Sequence, residues 1–487
     1  GSGFSGGESG TTGLTRRTAG VALPAGAATA EQTGNLVIAG PQAAPRVGGG
    51  ARGALSGPRT ASVPRRTAGL PGVSGPRSSG VGRTRPSLPG RIGTSGLAGR
   101  SKAGSTRPTL ASASELAGLV KRSVPGISAA PLERINAGFS MRRPDVRRDA
   151  AKNLGGNDAS ERAVERGLKW LARHQFADGH WSIHELNCTD HECQGHGSFQ
   201  SNTAATGLAL LAFLGAGYTH QSGEYQEVVR KGLAWLTSHQ KKDGDLFTDE
   251  SEFVWLYSHG MAAIPLCEAY GMTRDAALKK PAQRALDFVV AAQHPDFGGW
   301  RYRPRFESDT SVSGWQLMAL KSGEMAGLSV PKSAYDGVSK WLDSVESESS
   351  PGRFKYHPSK PVTLAMTAEG LLMRQYLGAK RSDVALTAGA NYLKARLPRE
   401  AEQDAYYWYY ATQVMFHMQG EHWAEWNASL RDMLIRMQSK EVATEGSWAP
   451  DDAKWGKSGG RHYTTCLNLL MLEVYYRHLP LYIELDK

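Results

Sequence analysis

Cysteine is scarce in this chain, and long apolar runs are missing. Four cysteines in 487 residues exclude a small disulfide-stapled scaffold. No apolar stretch approaches the roughly 20 residues that a membrane-spanning helix needs. The first 150 residues contain neither Trp nor Tyr, so they lack the side chains that anchor a core. They hold 21 of the chain's 57 Lys+Arg and 6 of its 46 Asp+Glu, a net of +15, which leaves 36 basic and 40 acidic residues, a net of −4, for the rest. The basic balance therefore describes a tail and not the folded part.

That tail is Gly, Ser, Ala, Pro, Thr and Arg, and such a composition cannot bury enough apolar area to offset the entropy of ordering. Residues 1–157 are expected to be disordered, with one short helix around Ser112 to Arg122. Thr15-Arg-Arg-Thr-Ala-Gly and Pro64-Arg-Arg-Thr-Ala-Gly are near-copies, a mark of low-complexity duplication. Dispersed arginines suit contact with an anionic surface, but the aromatics that would stack on bases are absent, so a solvated linker is the preferred reading and no specific nucleic acid is expected. The chain does not begin with Met, so an upstream signal or anchor, and the compartment, stay open.

From Asp158 onward one sentence is written repeatedly. Leu168 to Trp181 carries an apolar helix stripe into Gln175, an Asp178-Gly179 turn and an aromatic. It recurs as Leu233…Gln240…Asp243-Gly244…Phe247 and as Leu286…Gln293…Asp296…Trp300, and more weakly around Trp341…Gly352, Tyr392-Leu393 and Met433…Gln438…Gly446…Trp448. After each turn comes a second apolar helix. A repeat of roughly fifty residues is one supersecondary unit that cannot bury its apolar face alone, and about six helical hairpins suit a closed ring. The fold expected for residues 158–487 is all-α, a single α/α toroid.

The Gln-x-x-Asp-Gly-x-Trp pattern, clean from Gln175 to Trp181, resembles the repeat of squalene and hopene cyclases, and protein prenyltransferase β-subunits share the toroid. The resemblance implies a function at the ends of the inner helices. Squalene-hopene cyclases protonate an alkene with Asp-x-Asp-Asp-Thr-Ala; here Phe306-Glu-Ser-Asp309-Thr keeps Asp309, with Glu307 as its neighbour. An alkene is a weak base, so its acid must be strongly activated. A helix N-cap is the competing role for Asp309. Trp315, Tyr406, Tyr409 and Tyr410, with Asp404 just before the tyrosines, are the candidate cavity wall, since aromatic faces stabilise cations, while packing between helices is the expected role for most of these aromatics. His462 and Tyr463, in the last repeat, complete that set. The prenyltransferase zinc ligands are not matched: Asp404 is kept, but Tyr406 and Thr464 replace the Cys and the His. No Cys-Gly-Glu-Gln run marks a thioester domain. Arg301, Arg303 and Arg305 with Glu307 and Asp309 form a charged patch of the kind that polysaccharide lyases use, and a solvated loop is the competing reading.

Cys267 and Cys466 lie in apolar helix patterns as core fillers. Cys188 and Cys193 lie in a long loop with His191 and His196. A Cys188–Cys193 disulfide is the first expectation for that loop, a zinc site of Cys188, Cys193, His191 and His196 the second, and free thiols the third. No other cofactor is expected. Two incomplete catalytic signatures favour a toroid with a degenerate site that binds a lipid, peptide or glycan in its cavity or on its rim. The alternative is an active terpenoid cyclase, acting on an isoprenoid or other apolar ligand with Asp309 as proton donor.

Overall fold

The computed structural model describes residues 117–121, 138–188, 193–249, 251–451 and 455–482. The chain divides into two units after Leu97, and all described residues lie in the second. The tail's predicted helix falls largely outside them; 117–121 are helical.

A helix α1 (Pro144–Asn153) precedes six hairpins. Their outer members are α2 (Asp158–Arg173), α4 (Gln226–His239), α6 (Ala276–Ala292), α8 (Lys332–Val345), α10 (Val384–Lys394) and α12 (Gly420–Met437). Their inner members are α3 (Asn202–Gly215), α5 (Trp255–Thr273), α7 (Thr310–Met325), α9 (Leu364–Tyr376), α11 (Ala405–Met418) and α13 (Gly456–Leu472), followed by a single turn α14 (Val474–Arg477). Each inner helix packs on the next, and α13 packs back on α3, so the ring is closed. An all-α toroid is what the repeat period requires.

The two layers differ as their sequences dictate. Outer helices are amphipathic: α2 buries Val164, Leu168 and Leu171 and leaves Arg162, Lys169 and Arg173 outside. Inner helices touch protein on every side and are apolar nearly all round, with every residue of α3 from Thr203 to Gly215 buried. No described helix is long and apolar enough to cross a membrane.

The repeated Gln ties the ring together. Gln175 Nε2 donates to Gly179 O in its own turn and to Val228 O in the next outer helix, at 2.8 and 3.0 Å. Gln240 does the same to Gly244 and Pro281, and Gln293 to Gly298 and Ala334. Gln438 reaches Gly446 O and Ala163 O, both at 2.8 Å, and so joins the sixth hairpin to the first. The turn glycines are needed twice over. Gly446 has φ 90°, and a Cβ there would strike the backbone oxygen of Arg166. Trp181, Trp300 and Trp448 each donate Nε1–H to a carbonyl of their own outer helix at 2.8 Å. Gln438→Ala leaves two buried carbonyls without their donor and is expected to destabilise the ring by about 1–3 kcal/mol. Urea unfolding of the two proteins checks this, and an unchanged midpoint contradicts it.

The folded part begins earlier than the expected boundary at residue 158. A 3-10 turn (Gly138–Arg142) and α1 pack against the ring, with Arg142 and Ala150 at 2 and 0 % exposure. Their Arg-rich composition reads as tail, but Arg142 is buried because a carboxylate waits for it. It donates to Glu268 Oε2 at 2.6 Å and to Arg477 O at 3.2 Å.

Candidate functional site at the N-terminal mouth of the ring

Because each inner helix follows an outer one, the inner N-termini gather at one end of the ring. Ser201, Asp309, Thr363 and Asp404 cap four of them through side-chain oxygens. Hydrogen bonds run between neighbouring helix starts: Ser201 Oγ lies 2.8 Å from Ser258 Oγ, and Tyr257 donates to Ser311 Oγ at 2.8 Å.

Asp309 is the best-defined of the predicted residues. Its Oδ1 accepts the Val312 N–H at 2.7 Å, the capping bond, and its Oδ2 accepts the Tyr356 hydroxyl at 2.8 Å. Arg301 Nε stands 3.6 Å from Oδ2. Asp309 is 0 % exposed. Burial pushes its carboxyl up to about 7, against the Val312, Tyr356 and Arg301 contacts that pull it down. Glu307 is exposed on the adjoining loop and pairs with Arg301 instead of joining Asp309 in the interior.

A chain of hydroxyls continues inward. Ser311 Oγ lies 2.5 Å from Tyr406 OH, which donates to Glu369 Oε2 at 2.9 Å. Glu369 is fully buried, and burial raises its carboxyl well above the usual range. Neither Glu369 nor Tyr356 was visible as a site residue in the sequence, because each sits in a repeat whose Gln–Asp–Gly signature has faded.

The expected cavity wall is a packed centre. Trp315, Tyr409 and Tyr410 are 0, 1 and 1 % exposed, which leaves no room for even a water against them. Trp315 stacks on Tyr409 with ring centroids 5.7 Å apart. Tyr406 and Tyr463 are nearly as buried. His462 is turned to the neighbouring inner helix α3: its Nε2 lies 2.9 Å from Ala205 O, and burial lowers its basicity to about 4. Asp404 caps α11 by accepting the Tyr407 N–H. At the opposite end of the ring a cavity of about 30 Å³, lined among others by Arg142, Glu268 and Arg477, has room for a water or two. The aromatics that could have lined a hollow pack on one another because the inner helices approach closely enough to fill it.

What the mouth leaves open is an aromatic shelf above Asp309. Tyr302 and Tyr356 share a hydroxyl–hydroxyl bond of 2.9 Å, Tyr257 lies 6.4 Å from Tyr302 between centroids, and Phe253 meets Tyr302 edge-on at 5.5 Å. The Arg301 guanidinium lies over Tyr302 at 5.0 Å and Tyr356 at 5.8 Å. Phe253 is 53 % exposed and Phe306 38 %. The loop from Arg301 to Asp309 holds two non-glycine residues in the left-handed region, Arg305 at φ 58° and Glu307 at φ 46°. Such strain clusters where a surface is held for use.

Cys188 and Cys193 are free thiols, so the expected disulfide is not formed. The Cys193 sulfur turns instead toward His174 Nε2 at 3.1 Å and Ala443 O at 3.1 Å. His191 lies outside the described residues, and His196 is exposed and outside the cluster. Among the described residues, His174, Cys188 and Cys193 are the one group of His, Cys or carboxylate ligands close enough to share a metal ion. His174 escaped sequence reading because a basic residue at the end of an amphipathic helix is ordinary.

Residues 149–254 match the model of the squalene-hopene cyclase C-terminal domain, a span holding the first two outer helices and the inner helix between them. The squalene-cyclase-like character of the repeat is shown over that span. No curated protein matches the chain. Among solved structures, the GH76 α-mannanase of Bacteroides thetaiotaomicron is similar at 13% identity and TM-score 0.47, covering 68% of this chain and 98% of its own. The α-1,6-mannanase GH76A of Salegentibacter sp. HEL1_6 is similar at 13% identity and TM-score 0.46, over 66 and 99%. A type II terpene cyclase from Scytonema is similar at 12% identity and TM-score 0.43, over 66 and 99%. The ring assignment rests on this chain's own helix contacts.

Proposed function

We propose that this toroid is a binding protein whose ancestral catalytic centre is closed, and that it takes a hydroxyl-rich ligand, a glycan, on the aromatic shelf at its mouth. The observation that carries the reading is the state of Asp309: wholly buried under Tyr356, with packed aromatics beneath it. A cyclase acid must be stronger than an ordinary carboxylic acid, whereas burial makes this one weaker, up to about 7. Neither Asp309 nor Glu369 is open to a substrate. The remaining work of Asp309 is to cap α7 and to hold Tyr356 and Arg301.

Tyr257, Tyr302, Tyr356 and Phe253 offer partly exposed ring faces, with hydroxyls and a guanidinium between them. Flat apolar faces for the C–H side of a sugar ring, edged by donors for its hydroxyls, are the chemistry a saccharide needs. Loss of one stacking face contributes on the order of 1.4 kcal/mol, so Tyr302→Ala is expected to weaken glycan binding about tenfold. Calorimetric titration with a panel of neutral oligosaccharides reads this directly. Equal affinity of the variant, or no binding by the unaltered protein, overturns the reading.

A further inference from the structure

His174, Cys188 and Cys193 have no part in the mouth, yet they are arranged as a ligand set. His174 closes outer helix α2, and the two cysteines come from the loop that follows it. All three ligand atoms lie within 4.8 Å of one another. His174 Nδ1 is 2.7 Å from Trp170 O. A carbonyl can only accept, so Nδ1 carries the proton and Nε2 presents its lone pair toward Cys193 Sγ. A metal-bound histidine has this same arrangement, with one ring nitrogen held by a backbone carbonyl and the other turned to the ion. Stacking on Trp170, with centroids 4.1 Å apart, fixes the ring further. The Cys193 N–H donates to Cys188 Sγ at 3.3 Å, a contact that a thiolate strengthens.

We propose that His174, Cys188 and Cys193 hold a zinc ion. Zinc bonds of about 2.3 Å to sulfur and about 2.0 Å to nitrogen place tetrahedral ligand atoms roughly 3.5–3.8 Å apart. The present spacings, from 3.1 Å to under 4.8 Å, bracket that range and need only side-chain adjustment. Binding replaces two S–H protons by one dication, and both protons leave to solvent. Two thiolates, a neutral imidazole and zinc sum to zero charge, which suits the buried position of Cys193 and His174. The bond from the Cys193 thiol to Ala443 O is given up for the bond to the metal. Water fills the fourth position, on the side where Cys188 is only half-buried.

The location gives the ion a task. Cys193 to Gly195 belong to the first hairpin, but they lie against α13 and the connection before it in the sixth, Cys193 at Ala443. Arg461 donates its Nε–H to Gln194 O at 2.6 Å and its amide N–H to Gly195 O at 2.7 Å. Zinc at this seam staples the loop where the ring closes.

The test uses the full chain, purified with reductant, stripped with chelator and titrated with zinc ion and, separately, with cobalt(II) ion. One equivalent of zinc by elemental analysis is expected. A thiolate-to-cobalt charge-transfer band, the release of two protons and a higher melting temperature with zinc are expected to accompany it. His174→Ala and Cys193→Ser should each lose the cobalt band and weaken zinc at least 100-fold, while His196→Ala keeps both; circular dichroism confirms that the variants fold. Any of three results overturns the proposal: no metal taken up by the folded unaltered chain, undiminished binding by the folded His174 and Cys193 variants, or a mass two hydrogens lower before reduction, which places both sulfurs in a disulfide.

Discussion

Arg142→Ala is expected to lower the unfolding free energy by about 3–5 kcal/mol, because it strands the Glu268 carboxylate in the interior. Arg142 and Glu268 are 1 and 3 % exposed at the side chain and 2.6 Å apart. Arg477 Nη2 stays 3.9 Å from Glu268 Oε1 and partly compensates, which puts the effect toward the lower end of that range. For a domain of this size the melting temperature should fall by roughly 4–7 °C. The loss should be recovered in good part by Arg142→Met with Glu268→Gln, since the uncompensated charge is then gone. Calorimetry on the three proteins measures this; an Arg142→Ala protein that melts with the unaltered one contradicts a buried Arg142–Glu268 pair at this end of the ring.

Asp309→Asn is expected to stabilise the protein above pH 7 and to flatten its pH profile. The Asp309 carboxyl is raised to about 7 in the fold, against an ordinary value near 4. Between those values the folded chain keeps a proton that the unfolded chain has released, so the stability Asp309 contributes is complete below pH ~4 and is lost as pH rises through about 7. Three units amount to on the order of 4 kcal/mol. Glu473, raised by burial to about 8, and Glu369, raised in the same direction, keep part of the downward slope in the variant. Asn can cap α7 through its side-chain oxygen as Asp does, so the cap is retained. Denaturant midpoints from pH 4 to 9 give the comparison; parallel profiles for the two proteins would contradict a carboxyl whose burial outweighs its hydrogen bonds.

The ring was legible because its signature is a set of structural bonds. The Gln175, Gln240, Gln293 and Gln438 amides each bridge a turn to the next outer helix, so their recurrence in the sequence is the recurrence of one contact in space. The capping role of Asp309 was legible too, as a short acidic residue before an apolar helix. The state of the centre was not. Trp315 and Tyr409 have the same pattern whether they wall a hollow or pack together, and only the distance between α7 and α11 decides. Long-range partners were hidden for the same reason. Nothing local to Arg142 announces Glu268, which lies 126 residues away, and nothing local to His174 announces Cys193. The shelf was visible only in part, as a charged patch at Arg301 to Asp309, because Tyr257 and Tyr356 reach it from other repeats.

On the function proposed above, ligand is met at the mouth and no chemistry occurs in the packed centre. The most direct measurement is product analysis after incubating the protein with squalene and with shorter isoprenyl diphosphates, run beside the oligosaccharide titration. Every polyprene is expected to be recovered unchanged, beside saturable glycan binding that Tyr302→Ala weakens. Cyclised product that disappears in Asp309→Asn would contradict that function.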